Sequence, residues 1–182
     1  MDNGSLINKL VVLIFSYLRV FLIKFKHKQF VCKKMPLFAL SSRIVFVGKK
    51  SSIIFGEHTR LYNRAIVKSV NGEILLGERV SVNQDSMIVS MNKISVGNDT
   101  LIGPGVKIFD HDHGYGENVN REDYTWGDII IGNNVWIGAN TIILKNTHIG
   151  DNCVIAAESV IKGNIPENML VGNKKEIFMK KI

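Results

Sequence analysis

Ile131–Lys162 reads IGNNVWIGANTIILKNTHIGDNCVIAAESVIK, and an aliphatic residue recurs every six positions at Ile131, Ile137, Ile143, Ile149, Ile155 and Ile161. A slender residue stands four positions after each of the first five, at Val135, Thr141, Thr147, Cys153 and Ser159. Strand side chains alternate, so that position and the next aliphatic, two residues on, share one face. Both point inward. Gly132, Gly138 and Gly150 follow the aliphatic directly, and Gly or Asn in the gap permits the φ > 0 turn that starts a new short strand. Three such units close one triangular coil, and stacked coils make a parallel β-solenoid in which no repeat is stable alone. A helix would space its apolar residues at i, i+3 and i+4, which this stretch does not do.

The outward positions carry a second inference. On coils of eighteen residues, Trp136 and Val154 lie on one flat side, Ile142 and Val160 on the next, and His148 and Pro166 on the third. Two sides are then apolar outside as well as inside. Such flanks call for a partner surface, most simply further copies of the chain, and triangular prisms suit a homotrimer.

Upstream, the β-like pattern starts at Ile44, with irregular early coils through Phe55, Leu61, Ala65 and Val67. The six-residue register appears at Leu76, Val82 and Ile88, lengthens to eight before Val96, and resumes at Ile102 and Ile108. The extra residues near Met91 to Lys93 predict a bulged corner. From Ile108 to Ile131 the spacing is 23, so 17 residues leave the solenoid as a loop within DHDHGYGENVNREDYTWGD, about 110–128. A polar excursion of that length on a rigid scaffold is where function is expected. Pro166 ends the repeat, since proline cannot continue a central strand. The expected organisation is a basic amphipathic helix in 1–35, an all-β solenoid in 36–172, and a short basic tail in 173–182.

The net charge of +7 belongs mostly to one segment: residues 1–35 contribute +6 of it, with Asp2 their single acid. The solenoid is nearly neutral, which argues against a nucleic-acid groove. Two cysteines, Cys32 and Cys153, give neither a disulfide framework nor a cysteine zinc site and fit a reducing compartment. In SLINKLVVLIFSYLRVFLIKFK (5–26), Lys9, Ser16, Arg19 and Lys26 form one narrow polar stripe at helical spacing. Arg19 interrupts any membrane span, and no cleavage site marks a signal peptide. Two readings stand: a helix lying on the inner face of the cytoplasmic membrane, or a helix covering the open end of the solenoid.

His111 and His113 flank Asp112 where the wall turns into the excursion. An imidazole suits proton removal from a hydroxyl at neutral pH. A histidine pair at i and i+2 on an extended segment faces one side and also suits zinc, for which His58 or His148 would have to supply a third ligand. Two solvated loop histidines are the plain alternative.

The block VGNDTLIGPGVKIFDHDH, the excursion, and IGNNVWIGANTIILKNTHIGDNCVIAAESVIKGNIPENMLVG together resemble the hexapeptide-repeat acyltransferases. More narrowly they are similar to the branch of galactoside and maltose O-acetyltransferases and of surface-polysaccharide O-acetyltransferases. The likeness runs from about Leu76 to Gly172. It implies a left-handed parallel β-helix, a homotrimer with sites between subunits, acetyl-CoA as donor and no metal. His113 matches the family's general base, Asn83 its active-site Asn, and Trp136 its Trp before Ile-Gly. Gly138, Ala139, Ala157 and Lys162 match positions along the pantetheine arm.

The chain departs from that pattern at Met91 and Asn92, where an acid is expected, and at Gly172-Asn173-Lys174-Lys175. There the usual Gly-x-Pro-Ala-basic run is missing, and Lys174 and Lys175 are candidates to meet CoA phosphates. The implied reaction is direct acetyl transfer to a sugar hydroxyl in bacterial surface-polysaccharide synthesis, with His113 as base and no nucleophilic Ser or Cys. Rival readings on the same fold are a γ-class carbonic anhydrase-like zinc enzyme, an amino-sugar N-acetyltransferase, and a non-catalytic scaffold.

Overall fold

The computed structural model describes residues 6–34, 36–114 and 120–173. Lys174 and Lys175 lie outside them. One helix, α1 (Leu6–Lys26), precedes a left-handed parallel β-helix. Each coil visits three faces in turn. Face I holds Phe30–Cys32, Ser52–Phe55, Glu73–Leu76, Lys93–Val96 and Ile129–Ile131. Face II is a seven-stranded ladder from Leu37–Phe38 through Leu101–Ile102, Trp136–Ile137 and Val154–Ile155 to Leu170–Val171. Face III holds Arg43–Val47, Ile66–Val70, Met87–Ser90 and Lys107–Phe109. Strand Ile142–Ile149 bends round the edge from face III to face I and joins the two faces into one sheet.

Inward side chains stack in register. Phe38, Leu61, Val82, Ile102, Ile137, Ile155 and Val171 form the column behind face II. Cys32, Phe55, Leu76, Val96, Ile131 and Ile149 form one behind face I. Val135, Thr141, Thr147, Cys153 and Ser159 are all buried, as the six-residue pattern predicts. At roughly 25 cal/mol per Å² of apolar surface, this continuous core holds coils that could not stand singly.

Four expectations are corrected. The early coils through Phe55, Leu61, Ala65 and Val67 are regular and in register with those that follow. Asn164, not Pro166, lies against His148, because the corner after Ile161 is two residues shorter than the one after Ile143. The excursion is a hairpin rather than a loop. The left-handed backbone of Ile131–Lys162 falls on Asn134, Asn140, Asn146, Asn152 and Glu158, with φ between 52° and 59°, whereas Gly132, Gly138 and Gly150 are not at positive φ. The glycines serve close stacking instead. A Cβ on Gly138 would lie 2.5 Å from the Ala157 nitrogen of the next coil, and one on Gly150 2.5 Å from that of Glu167.

Helix α1 covers the first coil. Val20 is buried, Ile23 packs on the core, and His27 stacks on Phe46 at 4.3 Å. Ser16 and Arg19 of α1 face the strands. Ser16 Oγ accepts from the Phe38 N–H at 2.9 Å, and the Arg19 guanidinium donates to Ser42 Oγ at 3.1 Å and to its carbonyl at 2.6 Å. These bonds satisfy groups that the first coil would otherwise leave unpaired. Ser16→Ala should leave the buried Phe38 N–H without its acceptor and cost about 1–3 kcal/mol, read as a lowered urea midpoint.

Candidate active site

The excursion leaves the edge between faces III and I as an antiparallel hairpin of His111–Gly114 and Asn120–Trp126. Residues 115–119 are outside the described residues. His113 pairs with Tyr124, and His111 with Trp126. Both imidazoles lie against the Tyr124 ring, His113 at 4.5 Å between centroids and His111 at 6.1 Å. Alternation along the strand turns Asp112 the other way, where Lys145 Nζ meets its carboxylate at 3.1 Å. Lys145 also donates to the Thr125 carbonyl at 3.3 Å and to its hydroxyl, so one cation ties both hairpin strands to the next coil. Its side chain is only 12% exposed. Lys145→Met should loosen the hairpin and speed amide exchange in residues 111–126, with little change in the core.

Beneath the histidines sits Asp110, fully buried above the bulged corner. Its carboxylate accepts from Ser90 Oγ at 2.6 Å, from the Met91 N–H at 2.8 Å and from the Asn92 N–H at 2.9 Å. His111 Nδ1 approaches it at 3.1 Å. Burial alone would raise the Asp110 carboxyl. The hydrogen bonds, His111 first, then the Met91 N–H, Ser90 and the Asn92 N–H, outweigh burial and hold it below the usual carboxylate range. With Asp110 ionised, we assign the proton on His111 to Nδ1.

His111 is thus half-buried and tethered, whereas His113 is exposed. Asn92 Nδ2 donates to Asp128 at 2.6 Å, so the hairpin base brings an acid to the corner where the sequence itself has none.

The other candidates fall on different edges. Asn83, Gly138, Ala139 and Ala157 line the edge between faces II and III, each just beyond a face II strand. Asn83 Oδ1 accepts from the Gln84 N–H at 2.9 Å, which leaves its Nδ2 to serve as a donor. Lys162 lies, exposed, on the His113 edge, within strand Val160–Ile165. Trp136 is 56% exposed on face II, between Leu101 and Val154. Trp136 apart, one chain therefore holds its candidate residues on both borders of face III and does not bring His113 and Asn83 to the same edge.

Among the described residues no three His, Cys, Asp or Glu side chains gather as metal ligands. His58 lies at the edge between faces I and II, and His148 on the outside of face I, beside Asn164. Sequence reasoning passed over Asp110 and Lys145. Asp110 carried a signal in the two residues inserted at Met91–Lys93, whose N–H groups need an acceptor; Lys145 carried none.

The family model described as "Bacterial transferase hexapeptide (six repeats)" matches residues 128–163. A lipopolysaccharide biosynthesis O-acetyl transferase so named, WbbJ of Escherichia coli K12, is 32% identical over 147 residues, 75% of each chain. The galactoside O-acetyltransferase of E. coli K12 is 35% identical over 104 residues, 56% of this chain and 51% of that one. Among solved structures, the N-acyltransferase AntD of Bacillus cereus, in complex with dTDP-4-amino-4,6-dideoxyglucose and coenzyme A, superposes with a TM-score of 0.65. It covers 84% of both chains at 17% identity. Likeness across three quarters of an O-acetyl transferase, on a solenoid with this register, makes the chain a member of the hexapeptide-repeat acyltransferase family.

Proposed function

We propose that the protein transfers an acetyl group from acetyl-CoA to a sugar hydroxyl during synthesis of a bacterial surface polysaccharide. The observation that carries this reading is an exposed imidazole, His113, at the root of the hairpin in a chain about a third identical to O-acetyltransferases. His113 would take the hydroxyl proton as the oxygen attacks the thioester carbonyl. The tetrahedral oxyanion would be met by backbone N–H groups near Ala139, and the thiolate of CoA would leave with a proton. Asn83 would donate through Nδ2, and Trp136, Gly138, Ala139, Ala157 and Lys162 would hold the pantetheine arm.

Because these residues border face III on two edges, the reading requires a second copy. One protomer supplies His113 and Lys162, and its neighbour supplies Asn83, Gly138, Ala139 and Ala157. Apolar outer side chains on faces II and III, including Trp136 and Val160 at 56% and 49% exposure, support packing of copies side by side as a homotrimer. A specific observation favours a second assignment of the base: the Asp110–His111 pair is the acid–imidazole arrangement that orients a general base.

The test is mass spectrometry of nucleotide sugars, lipid-linked sugars and oligosaccharides after incubation with acetyl-CoA. A gain of one acetyl group, lost on mild alkali, supports an ester. An alkali-stable product identifies an amide and an amino-sugar acceptor, and a single-protomer mass in solution sinks the shared site.

A further inference from the structure

We propose that the outer face of α1 is a docking surface for an anionic phospholipid bilayer, on which the enzyme lies without crossing it. Helices of water-soluble folds turn their apolar stripe to the core. This one turns Val20 and Ile23 to the core but is apolar on its outer side as well. Its inward stripe includes Ser16 and Arg19, whose polar atoms bond Phe38 and Ser42 of the first coil. The opposite side is an unbroken apolar surface of Leu10, Ile14, Leu18, Phe21, Leu22 and Phe25, the last two aromatics 67% and 86% exposed.

α1 packs chiefly on the first strands of faces I and II, at the end of the solenoid, so the opposite surface points away from that end. Among the described residues no helix is long and apolar enough to span a membrane. An apolar face of this kind is suited to burial at the headgroup–acyl boundary.

Charge decides between a bilayer and a second copy. Between Asp2 and Glu57 the sequence contains ten Lys and Arg and no acid. Lys26 and Lys28 follow the apolar face directly and are exposed, as are Lys49 and Lys50 at the neighbouring corner, where Gln29 Nε2 reaches the Lys49 carbonyl at 3.4 Å. Two copies packed in parallel through α1 would bring these lysines against their own equivalents, and an antiparallel pair would set them against a basic segment whose single acid is Asp2. An anionic surface neutralises them instead. The sequence offers two readings of this segment, end cap or membrane helix, and the structure lets one helix be both.

The test uses the full chain with phosphatidylcholine vesicles, with and without phosphatidylglycerol. The protein should sediment with the anionic vesicles, and less so as salt rises. Lys26→Gln and Lys28→Gln should each weaken binding about fivefold. The double substitution Phe21→Glu, Phe25→Glu should weaken it at least about tenfold while leaving the urea midpoint and transfer to a soluble acceptor unchanged. Binding that ignores phosphatidylglycerol, or no binding at all, overturns the proposal. So does self-association without vesicles that the double variant abolishes, because it would identify a second copy as the occupant.

Discussion

His113→Ala is expected to lower acetyl transfer about 10²–10⁴-fold, the usual worth of a positioned proton acceptor. Because the imidazole is exposed and only leans against Tyr124 at a tilt of 37°, its loss should leave the oligomer and the urea midpoint close to those of the parent. The comparison that gives this result meaning is His111→Ala. That ring is half-buried and bonded to Asp110, and its removal should disturb the hairpin with a smaller loss in turnover. If the large loss instead follows His111→Ala, the oriented Asp110–His111 pair is the base and His113 is a contact to the acceptor. Measuring kcat and KM separately resolves the roles. A lost base lowers kcat, whereas a lost acceptor contact raises KM.

The solenoid was legible because its constraint is periodic. Each inward site repeats at six residues, so Ile131 to Ile161 state the register several times over, and the columns through Ile137 and Ile155 confirm it. The corners were legible by type but not by task. Asn and Gly both suggest φ > 0, yet only the stacking of coils shows that Asn140 takes the left-handed conformation while Gly138 makes room for the Ala157 nitrogen.

What breaks the period could be counted but not shaped. Seventeen surplus residues announce an excursion, and nothing local indicates that Asp112 and Thr125 would pair and share Lys145. The direction of α1 was likewise hidden. Ser16 and Arg19 form a stripe in any helical projection, but that the stripe faces inward depends on unpaired groups at Phe38 and Ser42, which exist only once the first coil has formed.

Asp110 shows how such a hidden demand is met, and it carries the largest expected effect on stability. The bulged corner at Met91–Asn92 turns two backbone N–H groups toward the interior, and the Asp110 carboxylate from the next coil accepts both. Asp110→Ala strands these partly buried donors, at about 1–3 kcal/mol for each. A total loss of roughly 2–6 kcal/mol is therefore expected in urea denaturation. Asp110→Asn keeps the shape but turns an NH₂ group toward other donors, so it should also destabilise.

The pH dependence separates charge from shape. The folded carboxyl is held below its usual range, so its contribution is complete above the unfolded value of about 3.9 and fades as pH falls through the folded one. The stability gap between the parent and Asp110→Asn should therefore be widest near neutrality and narrow below about pH 4. A gap that stays constant on acidification would mean that Asp110 acts there as a space-filling group rather than as an anion. The hairpin would then owe its attachment to Lys145 and to the bond between Asn92 and Asp128.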